Sequence, residues 1–266
     1  MTDLSTLLEP TKALVKQVGA FIRKESEDFK LADIEHKGFN DLVSYVDKEA
    51  EKKLVAGCKE ILPSAGFITE EGTETERQDE FNWIIDPLDG TTNFTHGLPI
   101  YAMSLALMQH DEIVMGIVYE INKDECFYSV KEEKAFCNEK EINVSPIDHL
   151  NDSLLATGFP YYDFDDMNKY LKILNELMQT THGLRRMGSA AVDLAYVACG
   201  RFEGFFEYNL NAWDVAAGAF LVQQAGGKVS DFKGDDDYIF GREICAGGTT
   251  HVSLLKVIRK HWEAKN

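Results

Sequence analysis

Trp83-Ile84-Ile85-Asp86-Pro87-Leu88-Asp89-Gly90-Thr91-Thr92-Asn93-Phe94 runs from an apolar triplet into two carboxylates, a glycine and two hydroxyls. Trp83, Ile84 and Ile85 form the pattern of a short buried strand. Pro87 has no N–H to donate, which predicts that ladder pairing stops there and leaves Asp86 at a sheet edge. Asp89 follows across a tight turn, so both carboxylates can converge on one hard, oxygen-seeking cation. Gly90 lets the backbone approach an anion closely. A helical turn beginning at Thr92 and Asn93 would aim free N–H groups at whatever the cations hold, and phosphate is the natural guest. Asp-Pro-x-Asp-Gly is also good turn chemistry. A surface hairpin, however, expects polar flanks, and this turn is enclosed by Trp-Ile-Ile and Phe94.

Working outward, Gly66-Phe67-Ile68-Thr69-Glu70-Glu71-Gly72 is a second apolar strand that ends in acids. Successive strand side chains point to opposite faces, so one of Glu70 and Glu71 faces a shared site unless the strand bulges. Ala212-Trp213-Asp214-Val215-Ala216-Ala217-Gly218-Ala219-Phe220-Leu221 reads as a buried helix with a single acid near its start. Gly226-Gly227 supplies its stop. Each segment has a plainer explanation: a solvated acidic loop after Glu71, and a carboxylate that merely complements a helix dipole at Asp214.

Taken together, the three segments resemble the inositol monophosphatase family, within the wider group of magnesium-dependent, lithium-sensitive sugar and nucleotide phosphatases. Ile68-Thr69-Glu70-Glu71, Asp86 to Phe94 and Trp213-Asp214-Val215-Ala216-Ala217-Gly218 stand in the family's order, and Gly188-Ser189-Ala190-Ala191 and Phe206-Glu207 match too. The resemblance covers nearly the whole chain. It implies an α+β fold, a five-layered αβαβα sandwich, with a metal site between the halves. It also implies two to three Mg2+ ions. Glu70, Asp86, the Leu88 carbonyl, Asp89 and Asp214 would be the ligands, with Asp86 bridging two ions and a weaker third ion leaning on Glu70. Thr91, oriented by Asp47 from the second helix, would aim the attacking water, so that Glu70, Thr91 and Asp47 are the implied catalytic residues. Backbone N–H groups of Gly90, Thr91 and Thr92 would hold phosphate oxygens. Gly188, Ser189, Ala190, Glu207 and Asp214 would meet the alcohol. A homodimer and inhibition by lithium follow from the same resemblance. Gly72 departs from it, standing where a serine or threonine often follows the two glutamates.

Charge supports a metal-dependent anion site independently. With Lys+Arg 27 against Asp+Glu 45, the formal net charge is -18, and such a surface repels phosphate esters. Divalent ions gathered by carboxylates reverse the sign locally. Two ions roughly 3.5–4 Å apart can activate water and stabilise a leaving alkoxide. Glu207 can accept hydrogen bonds from ring hydroxyls, although an ion pair with Arg185 or Arg186 accounts for it as well. Thr92-Asn93-Phe94 is closer to the inositol monophosphatase branch than to the adenosine bisphosphate branch, where a lysine and an acid would follow the threonine. The expected activity is therefore hydrolysis of inositol monophosphate or a related polyol or sugar phosphate. Fructose-1,6-bisphosphatase or 3'(2'),5'-bisphosphate nucleotidase activity on the same site is the alternative, and a metal- or phosphate-binding regulator is the non-enzymatic one.

The remaining sequence bounds these readings. A length of 266 residues with 44% hydrophobic content suffices for one large domain over 1–266, with subdomains at about 1–145 and 146–266. No apolar run of about 18 residues and no basic leader is present, so a cytoplasmic protein without membrane contact is expected. Cys58, Cys126, Cys137, Cys199 and Cys245 lack CxxC spacing and read as reduced core thiols. Lysines alternate with acids at 131–141, so no nucleic-acid stripe forms. Lys37, before the second helix, could add positive charge near the phosphate, and His96 lies close to the active turn.

Periodicity predicts a first helix through Leu7, Leu14, Val18, Phe21 and Ile22, and a second through Val43, Val46, Ala50, Leu54, Cys58 and Ile61. Antiparallel strands follow at 102–109, 112–120, 125–130 and 135–137. Beyond residue 145 come a strand at 154–157, helices at 165–179 and 190–199, a strand at 202–207, the Trp213 helix, a strand at 244–246 and a helix at 252–261.

Overall fold

Alternation along the strands divides the buried apolar residues among three cores, and five layers follow from that division. The computed structural model describes residues 4–29, 34–38, 41–160 and 164–263. The side chains of 34–43 lie outside that description.

The first layer is a helix pair. α1 (Ser5–Asp28) buries Leu7, Val15, Val18 and Ile22 along one stripe. A short antiparallel hairpin, β1 (Ile34–Gly38) and β2 (Asp41–Ser44), leads into α2 (Tyr45–Ile61). Ser44 caps α2: its hydroxyl accepts from the Val46 N–H, and Asp47 returns the bond to the Ser44 backbone N–H. Val43, expected in this helix, belongs to β2. The capping serine sits between them, and it is what ends the strand and starts the helix.

The second layer is a seven-stranded sheet in the order β3 (Gly66–Thr69), β4 (Phe81–Asp89), β5 (Ala102–Gln109), β6 (Glu112–Glu120), β7 (Glu125–Val130), β8 (Phe136–Cys137), β9 (Lys140–Glu141). β3 runs parallel to β4, and every other pair is antiparallel. Trp83 and Ile85 pack under α1 and α2. Ile84, one residue between them, faces the opposite core. The strands from β5 to β7 coincide with the sequence reading.

The middle layer is α5 (Ala190–Ala198) and α6 (Ala212–Gln224), which between them carry Val192, Leu194, Val215, Ala217 and Leu221 into the central core. A helix apolar on nearly every side must lie inside the protein, and every residue of α5, its one acid Asp193 included, is buried. Past α6, Gly226 takes a positive φ of 87° as the helix stops.

The fourth layer is a five-stranded sheet in the order β11 (Gly183–Arg185), β10 (Leu154–Thr157), β12 (Gly204–Tyr208), β14 (Glu243–Gly247), β13 (Lys228–Ser230). β10 is parallel to both neighbours, and β14 is antiparallel to β12 and β13. Phe205 faces the central core while Phe206 faces outward. α4 (Met167–Thr180) and α7 (His251–Trp262) cover that outer face through Tyr170, Ile173, Leu177, Leu254 and Ile258. β11 and β13 escape sequence reading because three-residue strands are too short to show a period. The five cysteines are free thiols, and no helix among the described residues is long and apolar enough to cross a membrane.

Candidate active site

Pairing between β4 and β5 matches Asp86 to Ser104, breaks, and resumes with Asp89 opposite Ala102. Pro87 therefore does not end the strand, and Asp86 is not at a sheet edge. β4 lies between β3 and β5, and Pro87 and Leu88 form a bulge that leaves the missing N–H where no ladder bond is required. The bulge turns the Leu88 N–H back onto Asp86 Oδ1 at 2.9 Å. Gly90 then takes φ 102° and starts α3 (Thr91–Thr95), the helical turn expected there. A side chain at such a φ would be strained.

Asp214 reaches the same place from the first turn of α6. The Asn211 N–H donates to its Oδ2 at 2.6 Å as part of a reciprocal cap. One carboxylate oxygen from each of Asp86, Asp89 and Asp214 lies within 4.8 Å of the others. Glu70 lines the same cavity. Burial first, then repulsion from Glu70, Asp89 and Asp214, holds the Asp86 carboxyl well above its usual range. Burial also raises Asp89 to about 6, and burial with repulsion from Asp89 raises Asp214 to about 7. Carboxylates crowded this way need a counter-charge. An all-oxygen donor set suits a hard divalent ion such as Mg2+, so the residues present fit the metal that the sequence implied.

Hydrogen bonds from distant elements fix these acids. Asp89 Oδ2 accepts from the Ser189 hydroxyl at 2.7 Å and from the Ala191 N–H at 2.6 Å, which ties the β4 bulge to the start of α5. Thr91 Oγ1 lies 2.8 Å from Asp47 Oδ1 and 3.1 Å from the Leu88 carbonyl, with its single proton available to either acceptor. Asp47 is buried, its other oxygen accepts from both the Ser44 N–H and the Ser44 hydroxyl, and burial raises its pKa. One turn further along α2, the buried Glu51 accepts from the Glu71 and Thr73 N–H groups at 2.7 and 2.8 Å. Glu51 thereby anchors the backbone just after Glu70.

The cavity above the acids has a volume of about 410 Å³. Gly90, Thr91, Thr92, Gly188, Ser189 and Ala190 line it, as does the buried Glu207. Glu207 is held well above its usual range by burial, against the lowering pull of Arg186. Arg185 is exposed and bonds the Leu184 carbonyl instead. His96 is exposed and outside the cavity lining, and the Lys37 side chain lies outside the described residues. Asn209 and Asn211, noted in the sequence only as lying between Glu207 and Asp214, line the cavity too, and three further lining residues were not singled out from sequence: Gly158, Asp193 and Leu210. Asp193 was the discoverable one, a lone acid in the apolar run Ala190 to Ala198.

A model of the inositol monophosphatase family matches residues 3–263. A protein of Neisseria meningitidis serogroup B called putative Nus factor SuhB is 40% identical over 248 residues, covering 92% of this chain and 95% of its own. An inositol-1-monophosphatase of Mesorhizobium japonicum is 36% identical over 263 residues, covering 98% and 99%. The crystal structure of extragenic suppressor protein suhB from Bartonella henselae superposes with a TM-score of 0.91 at 36% identity, covering 96% of this chain and 99% of that one.

Proposed function

This chain belongs to the inositol monophosphatase family, and on that premise we propose that it hydrolyses inositol monophosphate or a closely related polyol phosphate by direct attack of water. The carrying observation is the convergence of Asp86, Asp89 and Asp214 in a cavity that the buried acids Glu207 and Asp193 also line. Asp86, Asp89, Asp214, Glu70 and the Leu88 carbonyl would hold two to three Mg2+ ions. Bound there, the metal would supply Lewis acidity toward the phosphoryl oxygens and make water a stronger acid.

The chain's own groups account for the rest. Thr91 Oγ1, with its proton committed to Asp47 or Leu88, keeps lone pairs free to accept from a water and aim it. Asp47, its pKa raised by burial, is a stronger base than an exposed aspartate and holds the threonine in that role. The N–H groups of Gly90, Thr91 and Thr92, at the start of α3, would hold the phosphate oxygens. Ser189 and Ala191 lock Asp89, so a ligand displaced from the floor would have to break two hydrogen bonds.

The charge of the cavity lining favours a monophosphate. Glu207 and Asp193 line it with Arg186 as the single cationic lining residue described, so a second phosphate would meet two buried acids for one guanidinium. This argues against the fructose and adenosine bisphosphate alternatives. The name Nus factor, borne by relatives, keeps a regulatory role open alongside the chemistry. The complete acid cluster supports catalysis. Five free cysteines fit a reducing, cytoplasmic compartment, and the family resemblance supports a homodimer, which a monomer mass in sedimentation would refute. The deciding experiment is a panel of phosphate esters assayed with saturating Mg2+. Preference for inositol monophosphate over both bisphosphates is expected, and no phosphate release from any ester would overturn the reading.

A further inference from the structure

Among the described residues, three buried side-chain polar atoms have no hydrogen-bond partner: Trp83 Nε1, Asp193 Oδ1 and Asn209 Nδ2. Trp83 lies in the core beneath α1 and α2. The other two both line the cavity. One is an acceptor and the other a donor, a pair that no apolar ligand would satisfy.

Asp193 is 1% exposed. Its backbone N–H continues α5 by donating to the Ser189 carbonyl, and the cap at Val192 is made by Ser189, so the Asp193 carboxylate has no helix-capping task. Leaving a buried acceptor unmade is costly, and such a group calls for a use. After burial, repulsion from Glu207 and then Asp89 raises its pKa, against a lowering pull from Arg186. The Glu207 carboxyl lies directly over Gly158, where an added Cβ would come within 2.1 Å of it. β10 and β12 pair Thr157 with Phe206, so Gly158, the residue just past β10, lies beside Glu207 of β12.

Asn209 is oriented by a neighbour. Arg242 Nε donates to its Oδ1 at 3.1 Å, which turns the amide oxygen toward the guanidinium and fixes Nδ2 as the free donor. A hydroxyl both donates and accepts, whereas an ammonium only donates and would leave the Asn209 donor unmet.

We propose that Asp193 is a specificity-determining residue which, with Asn209, binds hydroxyls of the alcohol part of the substrate: Asp193 Oδ1 accepts one and Asn209 Nδ2 donates to one. This rests on the phosphatase reading above and adds to it that the preferred leaving group is a neutral polyol rather than an amino alcohol or a hydroxyl-free alcohol. The protein gives up stability at Asp193 to hold an acceptor ready for the ligand.

The test compares kcat/KM for inositol monophosphate and for phenyl phosphate in the full-length protein with Mg2+, for wild type, Asp193→Leu and Asp193→Asn. The ratio of the two is expected to fall about tenfold to a hundredfold in Asp193→Leu. Asp193→Asn, which keeps an acceptor oxygen and the same shape, should recover part of it. Thermal midpoints measured with chelator provide a second readout: removal of a buried acid with an unmet acceptor oxygen should hold or raise them, and this is opposite to the loss of a structural contact. A ratio within twofold of wild type in both variants, or a lowered midpoint with equal losses on both esters, overturns the proposal while leaving the phosphatase reading standing. A wild-type protein that hydrolyses neither ester overturns both.

Discussion

Thr91 Oγ1 and Asp47 Oδ1 stand 2.8 Å apart although 44 positions separate them in the chain. The contact exists because the Ser44 cap sets the first turn of α2 against the bulge at the end of β4. Thr91→Ala removes the oxygen proposed to orient the water and leaves the three aspartates untouched. A fall in kcat of about 10²–10⁴ is expected, with Mg2+ affinity by calorimetry unchanged. Asp47→Asn should give a comparable loss in kcat. Wild-type turnover in either variant would remove this pair from the mechanism.

Asp89→Asn and Asp214→Asn each delete one charge from the floor of the cavity. Direct ligands should matter more than outer partners, whose loss already costs about 10–100-fold in metal affinity. Turnover should therefore be abolished at millimolar Mg2+, and titration calorimetry should show weakened binding. Undiminished affinity in both variants would show that the metal sits elsewhere.

The same two acids predict a pH dependence. Burial raises Asp89 from 3.8 to about 6 and Asp214 from 3.8 to about 7, while in the unfolded chain both titrate near the ordinary value. Between about pH 4 and 7 the chelated, folded protein binds more protons than the unfolded one, so its stability falls as pH rises through that window. Thermal midpoints in chelator should be higher near pH 5 than near pH 8. Mg2+ must displace those protons, so its affinity should weaken below about pH 7. A midpoint that climbs steadily from pH 5 to 8 in chelator would contradict the assigned shifts.

Gly158→Ala places a methyl group 2.1 Å from the Glu207 carboxyl. The carboxyl must move, and crowding of this kind costs about 1–3 kcal/mol of stability. KM for a polyol phosphate is expected to rise several-fold while Mg2+ affinity holds. An unchanged KM would mean that Glu207 does not contact the alcohol.

Lithium inhibition follows from the family resemblance, with a monovalent ion competing near Asp89 and Asp214. Turnover measured across millimolar lithium at fixed Mg2+ should decline, and the decline should ease as Mg2+ is raised. A flat response would separate this chain from the lithium-sensitive members.

Much of the molecule was legible in the primary structure. The Trp83–Ile84–Ile85 alternation, the strands of β5 to β7 and the apolar helix after Trp213 are local patterns, each readable within a window of a few residues. The motif acids could also be named: Glu70 and Asp86 end apolar runs and Asp214 begins one, and the family resemblance supplied their expected roles. Pro87 misled: a missing N–H is compatible either with a strand end or with a bulge, and only the presence of β5 beyond it selected the bulge. Val43 misled because periodicity does not see the capping serine that follows it.

By itself, then, the sequence determined the kinds of elements, the family they compose and the identity of the acids, since those depend on side-chain period and chain-local chemistry. The tertiary structure alone decided which of them meet. Asp214 beside Asp86 and Asp89, Ser189 on Asp89 across 100 positions, and an Asp193 that lines the cavity with its Oδ1 unmet all depend on how five layers stack. The stacking is set by apolar burial summed over whole faces, which no short stretch of chain encodes.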